Sequence, residues 1–121
     1  MARESFVPRP TSNAEGEPFG SHEEAWFWTV QAHDARAAGA RVTAGRGLVT
    51  RPCEPIDVLK VVDRLYRQRR LVRDHLMVLV HYGRRFMAPD PSRRLEQRAA
   101  SLWAEAFSAL APALRTKGIV A

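Results

Sequence analysis

Hydrophobic residues recur at helical spacing in four segments of the chain, and the stretches between them are polar or rich in proline and glycine. Apolar residues at positions i, i+3, i+4 and i+7 are typical of an amphipathic helix that packs one face on a core. We therefore predict helices over about 21–38, 55–67, 71–82 and 91–116. The expected fold is a small all-α bundle of about four helices in one domain, residues 21–121, preceded by a disordered or loosely docked arm, residues 1–20.

The predicted helix starts rest on residues that favour a first turn. Ser21 and Glu24 have the spacing of a capping box at the start of the first helix. Pro55 and Pro91 suit the first positions of the second and fourth helices, because the missing amide proton is not needed there. Asp90 is expected to cap the fourth helix.

Other residues predict where the helices stop and how they pack. Gly39 and Gly83 follow the last periodic residues of the first and third helices and suit left-handed caps. A break near 68–70 keeps Arg69 out of the apolar stripe of the second helix. The third helix is apolar on most sides, which is typical of a central helix in a bundle.

The first helix contains more aromatic residues than one face can bury. Trp26, Val30 and His33 share a face, so His33 is expected to be a hydrogen-bonded core histidine, whereas Trp28 points nearly opposite Trp26. Trp28 is either covered by the arm or by residues 40–52, or it belongs to an interface. Residues 40–52 are expected to be a plain loop, because the alternative, a short two-stranded hairpin, is marginally stable alone.

The net charge of +6 comes from one continuous segment of the chain. Residues 57–100 contain Lys60 and ten arginines against five carboxylates, and the remainder of the chain is neutral overall. Such a concentration of positive charge is the footprint expected for a polyanionic partner. The alternative is a solvated face in an arginine-rich protein, since 17 of the 19 basic residues are arginine.

Few residues are suited to catalysis or metal binding. Cys53 is the only cysteine, which excludes an intramolecular disulfide, and the four histidines have no metal-ligand spacing. Asp74 and His81 could share one side of the third helix, but no nucleophile lies beside them, so exposed ion pairing is expected. We therefore expect no enzyme activity, no cofactor, no metal and no small-molecule substrate. With no signal-peptide run and no apolar stretch of roughly 20 residues, a cytoplasmic location away from membranes is expected.

Three segments, "LVRDHLMVLVHYGRR", "LWAEAFSAL" and "LRTKGIV", resemble the sigma-factor region 4 type of helix-turn-helix found in small phage-related regulators, over about residues 71–119. The resemblance implies a DNA-binding, transcription-associated protein. Where that family has a short scaffold helix, a turn and a recognition helix, this chain has "FMAPDPSRR" leading into one long helix. The fourth helix would then enter the major groove of duplex DNA. The residues expected to contact phosphates and base edges are Arg84, Arg85, Arg93, Arg94, Gln97, Arg98 and Ser101.

The competing hypothesis is a protein-interaction module. Trp28 and an edge formed by Trp103 and Phe107 would then dock a protein partner or a second copy of the chain. The basic face would be solvated, or it would meet an acidic protein partner.

Overall fold

A computed structural model of the protein describes residues 16–39 and 50–121. These residues form four α-helices, which are α1 (His22–Ala37), α2 (Pro55–Arg67), α3 (Arg73–Arg85) and α4 (Gln97–Thr116), with a single 3-10 turn (Arg94–Glu96) before α4. The prediction of a small all-α bundle of about four helices is confirmed. None of these helices combines the length and the apolarity needed to cross a membrane. The first 15 residues of the predicted arm, and residues 40–49 of the predicted loop, lie outside the described residues.

The bundle is centred on α1 and α4, each of which packs against the other three helices, while α2 and α3 lie on the flanks. The core is built mainly from aliphatic and aromatic side chains of all four helices and the chain ends. The expectation of a central α3 is therefore wrong. Although α3 is apolar on most sides, Met77 is 56% exposed and Val80 is 41% exposed, because no helix of the described chain covers that side.

The predicted starts of α1 and α2 are confirmed by their capping interactions. The Ser21 hydroxyl accepts a hydrogen bond from the Glu24 N–H at 3.1 Å, and the Glu24 carboxylate accepts one from the Gly20 N–H at 3.0 Å. Pro55 is the first residue of α2, and the Asp57 carboxylate accepts the Glu54 N–H at 2.8 Å. These bonds satisfy amide groups that a helix start leaves without partners.

The predicted end of α3 at Gly83 is wrong, since the helix continues to Arg85 and ends with Phe86 in the left-handed conformation. Gly83 instead allows α1 and α3 to pack closely. The Trp26 indole N–H donates to the Leu79 carbonyl oxygen at 2.8 Å, and a Cβ on residue 83 would lie 2.8 Å from the Trp26 Nε1. Glycine is therefore required by the contact between two helices and not by a turn.

The fourth helix begins at Gln97 and not at Pro91. The Asp90 carboxylate accepts hydrogen bonds from the Ser92 N–H at 2.9 Å and the Ser92 hydroxyl at 2.7 Å, and the Asp90 N–H donates to Glu96 at 3.0 Å. These local bonds hold a compact turn that competes with helix formation. As a result Leu95, which the periodicity places on the buried face, is 97% exposed.

Phe19 joins the two ends of the described chain. Its ring is completely buried, its N–H donates to the Ile119 carbonyl at 2.9 Å, and its carbonyl accepts the Ala121 N–H at 3.0 Å. Phe19 also lies against Trp28, with ring centroids 5.1 Å apart. The end of the arm, residues 16–20, therefore covers one side of Trp28, which is half-buried.

The buried histidine of the described chain is His75, because His33 is exposed and its expected place in the core is wrong. The His75 Nδ1 accepts the Val72 N–H at 3.0 Å, so its Nε2 holds the proton and donates to Glu105 at 2.9 Å. The side chain thus caps α3 and ties it to α4.

Candidate nucleic-acid interface

The seven residues predicted to contact DNA are all exposed, and they lie in the last turn of α3, the turn before α4 and the first turns of α4. Their exposure agrees with the prediction. Their charges, however, are not all available to a ligand, because several of the arginines bind carboxylates of the same chain.

Arg84 is the most strongly tied of these arginines. Its Nε and terminal nitrogen lie 3.0 and 3.3 Å from the two carboxylate oxygens of Asp34 on α1, a paired arrangement that strengthens the contact. The pair lowers the pKa of Asp34 and raises the pKa of Arg84, chiefly through these hydrogen bonds. Arg84 therefore serves mainly to join α3 to α1.

Arg98 and Arg93 also have carboxylate neighbours. Arg98 lies 3.2 Å from Asp74 on α3, and Arg93 lies 3.6 Å from Glu96 and 4.0 Å from Asp90. Within residues 16–39 and 50–121, no carboxylate lies within 4.0 Å of Arg85 or Arg94, although Arg85 contacts His81 at 3.5 Å. Asp74 thus pairs with Arg98 and not with His81, so the Asp74–His81 couple does not form.

A further group of arginines lies where α2 turns into α3; it belongs to the basic segment 57–100 but is not among the residues predicted to contact DNA. We call this group the basic corner; it consists of Arg64, Arg69, Arg70 and Arg73, all exposed. In the part of the chain that the structure describes, none of the four has a carboxylate within 4.0 Å, whereas the neighbouring Arg67 pairs with Asp63 at 3.0 Å. The signal in the sequence is the run "RLYRQRRLVR", which contains five arginines and no carboxylate.

The basic corner is held rigidly by the backbone. The Arg70 N–H donates to the Leu65 carbonyl at 2.9 Å and the Arg69 N–H donates to the Tyr66 carbonyl at 3.0 Å, which together close the end of α2 in a Schellman motif. Arg69 has a φ of 62°, a left-handed conformation that glycine adopts more easily. Leu71, which follows at once, is 1% exposed and anchors the turn in the core.

The contact between Arg98 and Asp74 connects this corner with the predicted site. Asp74 directly follows Arg73, so Arg98 of α4 lies beside the start of α3. The start of α4 therefore lies next to the basic corner. On the other side, Lys60, Arg64 and Lys117 line a shallow concave surface, together with Asp57.

The residues of the alternative interface are mostly unavailable to a partner. Trp103 and Phe107 are 5% and 4% exposed, so the expected exposed edge is not present. The Trp103 indole N–H donates to the Glu23 carboxylate at 2.6 Å, and its ring stacks on Phe27. Both residues belong to the core because α1 covers the face of α4 on which they lie.

Two observations on the described residues concern metal binding and thiol chemistry. Among them there is no group of three or more histidine, cysteine, aspartate or glutamate side chains that could hold a metal ion. Burial, together with Asp57 and Glu54, raises the pKa of the Cys53 thiol to about 11, so the reactive thiolate is scarce at neutral pH.

Comparisons with protein-family models, with curated proteins and with solved structures found no significant match to this chain. Any account of its function therefore rests on the geometry of the chain itself.

Proposed function

We propose that this chain is a non-enzymatic, transcription-associated DNA-binding protein that holds the backbone of a duplex on the basic corner and the start of α4. The observation that carries the proposal is the basic corner, where four exposed arginines have no ion-pair partner among the described residues. Guanidinium groups bind phosphate oxygens in paired hydrogen bonds, and they remain charged at all relevant pH values.

The start of α4 supplies groups that could read bases. Gln97 and Ser101 are exposed near Arg94 and Arg98, and amide and hydroxyl side chains hydrogen-bond base edges in the major groove. In this arrangement the basic corner contributes most of the affinity through phosphates, and α4 contributes sequence preference. This division differs from the sequence-based expectation, in which Arg84, Arg85, Arg93, Arg94 and Arg98 supplied the arginine contacts to phosphates and base edges.

The proposal predicts binding that weakens steeply with salt. Fluorescence anisotropy with a labelled mixed-sequence duplex, titrated at about 50 and 200 mM salt, should show a loss of roughly a hundredfold or more if about four phosphates are contacted. A single strand of the same sequence should bind more weakly. This comparison matters because Tyr66, 45% exposed beside the basic corner, could stack on an unpaired base. No binding at the lower salt would contradict the proposal.

Two single substitutions test whether DNA binding depends on a particular surface or only on the net charge of the protein. Arg94→Ser should weaken binding at every sequence and reduce the salt slope by about one unit. Arg115→Ser removes the same charge at the other end of α4, roughly 30 Å away by helix rise, and should change affinity little. Equal losses in the two variants would show that binding depends on net charge alone.

Arg69→Gly tests the corner directly. Glycine relieves the left-handed strain at this position, so the variant should be more stable in urea by about 1 kcal/mol. It should nevertheless bind the duplex several-fold more weakly, because a phosphate contact is lost. If Arg69→Gly is more stable but binds the duplex with unchanged affinity, Arg69 does not contact DNA and the proposed surface is wrong.

A further inference from the structure

The side of α3 that faces away from α1 and α4 combines apolar side chains with basic ends. Met77 is 56% exposed, Val80 is 41% exposed, and Leu76 is half-buried, so these three residues form a short apolar strip. They line a shallow groove together with His81, Arg84 and Arg85. Large side chains left exposed one helical turn apart are typical of a surface that another helix covers.

The charges at the two ends of this strip that have no ion-pair partner among the described residues are both positive. Arg73 lies one turn before Met77 and Arg85 lies about two turns after it, whereas the neighbouring Arg84 is paired with Asp34 of α1. In the described chain Arg73 and Arg85 have no carboxylate within 4.0 Å, and Asp74, the acidic residue of this helix, is held by Arg98. A partner that covers the strip must therefore face positive charge at both ends.

The geometry points to a docking site on this face for an amphipathic helix of a partner protein, with an apolar stripe edged by glutamate or aspartate. The distance from Arg73 to Arg84 corresponds to about 17 Å of helix rise, so the partner segment needs roughly three turns. Apolar anchors at i, i+3, i+4 and i+7 would contact Leu76, Met77 and Val80, and the acidic edges would meet the arginines at both ends. The area that such a segment would bury is small, so we expect weak, transient binding.

A second copy of the chain fits this face less well. In a two-fold pairing of α3 with itself, antiparallel helices bring Arg73 against Arg84 and Arg85 of the other copy, and parallel helices bring each arginine against its own equivalent. Like charges at both ends oppose self-association. An acidic partner gains attraction at the same two places. The inference does not depend on DNA binding, since the apolar anchors Met77 and Val80 lie outside the basic corner, with which this face shares Arg73.

The experiment uses two synthetic helical peptides of about 14 residues, long enough for the three turns. Both have leucines at i, i+3, i+4 and i+7; the first has glutamates on both edges of the leucine stripe and the second has lysines there. Titration into the isotope-labelled protein, followed by NMR, should show that the acidic peptide shifts the amide resonances of 73–85 and that the lysine peptide does not. Equal binding of the two peptides, or shifts that map to another helix, would overturn the proposal.

Matched variants test the apolar strip. Met77→Ser should weaken binding of the acidic peptide about tenfold, since it removes the most exposed anchor, and it should leave thermal stability and duplex binding unchanged. Ile56→Ser, at a residue 49% exposed on α2, is the control and should leave peptide affinity unchanged. Equal losses in the two variants would overturn the proposal. Sedimentation of the wild-type protein as a dimer that Met77→Ser dissociates would overturn it as well, because a second copy would then occupy the face.

Discussion

At the scale of single residues, a close contact between α1 and α3 depends on the missing side chain of Gly83. The Trp26 indole reaches the Leu79 carbonyl because residue 83 has no side chain, and a Cβ there would also lie 2.9 Å from Val30 Cγ2. If this contact were broken, the buried Trp26 indole N–H would lose a hydrogen bond that contributes about 1 kcal/mol. Glycine inside a helix lowers helix stability, so its presence in α3 is explained by this packing.

We therefore expect Gly83→Ala to destabilise the protein by about 1–3 kcal/mol, even though alanine favours helix formation. Urea unfolding followed by circular dichroism measures the change. Trp26→Phe removes the Nε1 atom that lies nearest to a Cβ on residue 83. In that background, Gly83→Ala should lower the free energy of unfolding by a smaller amount. A purely additive effect of the two substitutions would argue against a direct contact between these residues.

At the scale of elements, the helices are joined at their ends by polar pairs that sequence periodicity does not detect. Arg84 of α3 binds Asp34 of α1, and His75 of α3 binds Glu105 of α4. An exposed pair such as Arg84–Asp34 contributes little to stability by itself, whereas the buried His75 also caps the start of α3. Arg84 and, through Asp74, Arg98 of the predicted DNA site are in this way paired within the fold.

The Asp34–Arg84 pair predicts a specific dependence of stability on pH. Arg84 lowers the pKa of Asp34 below its ordinary value of 3.8, so the folded state favours the ionised carboxylate. The stabilisation is therefore present above about pH 3.8 and is lost as the pH falls through the lowered pKa. Urea unfolding of the wild-type protein and of Asp34→Asn should differ by a constant amount near neutral pH and converge in acid. A difference that persists at the lowest pH would have another cause.

At the scale of the whole molecule, the chain closes on itself where Phe19 meets the residues that follow α4. Phe19 is completely buried, bridges to Val120 in a parallel pair and lies under the Arg51 guanidinium, 4.1 Å from its ring centroid. The helical bundle is thus completed by a segment that lies before the first helix. This closure leaves the basic corner, at the other end of α2, open to solvent.

Phe19→Ala should therefore destabilise the entire bundle, by about 3–5 kcal/mol, the usual cost of removing a buried phenylalanine. Pro18→Ala is the control, because Pro18 is exposed and its substitution should have little effect. Chemical denaturation followed by tryptophan fluorescence, to which Trp28 contributes, measures both. If Phe19→Ala changes tryptophan fluorescence but leaves the free energy of unfolding unchanged, the segment 16–20 does not contribute to the stability of the bundle.

Much of the fold was predictable because short-range patterns determine it. The starts of α1 and α2 and the turn at 68–70 follow from capping residues, proline and the spacing of apolar side chains, which act over one or two helical turns. Two predictions were wrong for different reasons. Gly83 was predicted to end α3, because the sequence does not show its contact with Trp26, which is distant in the chain. Periodicity places Leu95 on the buried face, but the local hydrogen bonds of Asp90 with Ser92 and Glu96 delay the start of α4.

The candidate site was likewise predictable only in part. The sequence by itself determined that the chain forms a helical bundle and that its positive charge is concentrated in residues 57–100, because periodicity and charge are properties of the chain order. Only the tertiary structure decided which arginines remain available. Arg84 and Arg98 bind carboxylates far away in the chain, whereas no carboxylate of residues 16–39 and 50–121 lies within 4.0 Å of the basic corner, whose side chains are exposed. These ion pairs join different helices, and the order of residues along the chain does not show which side chains of two helices will be in contact.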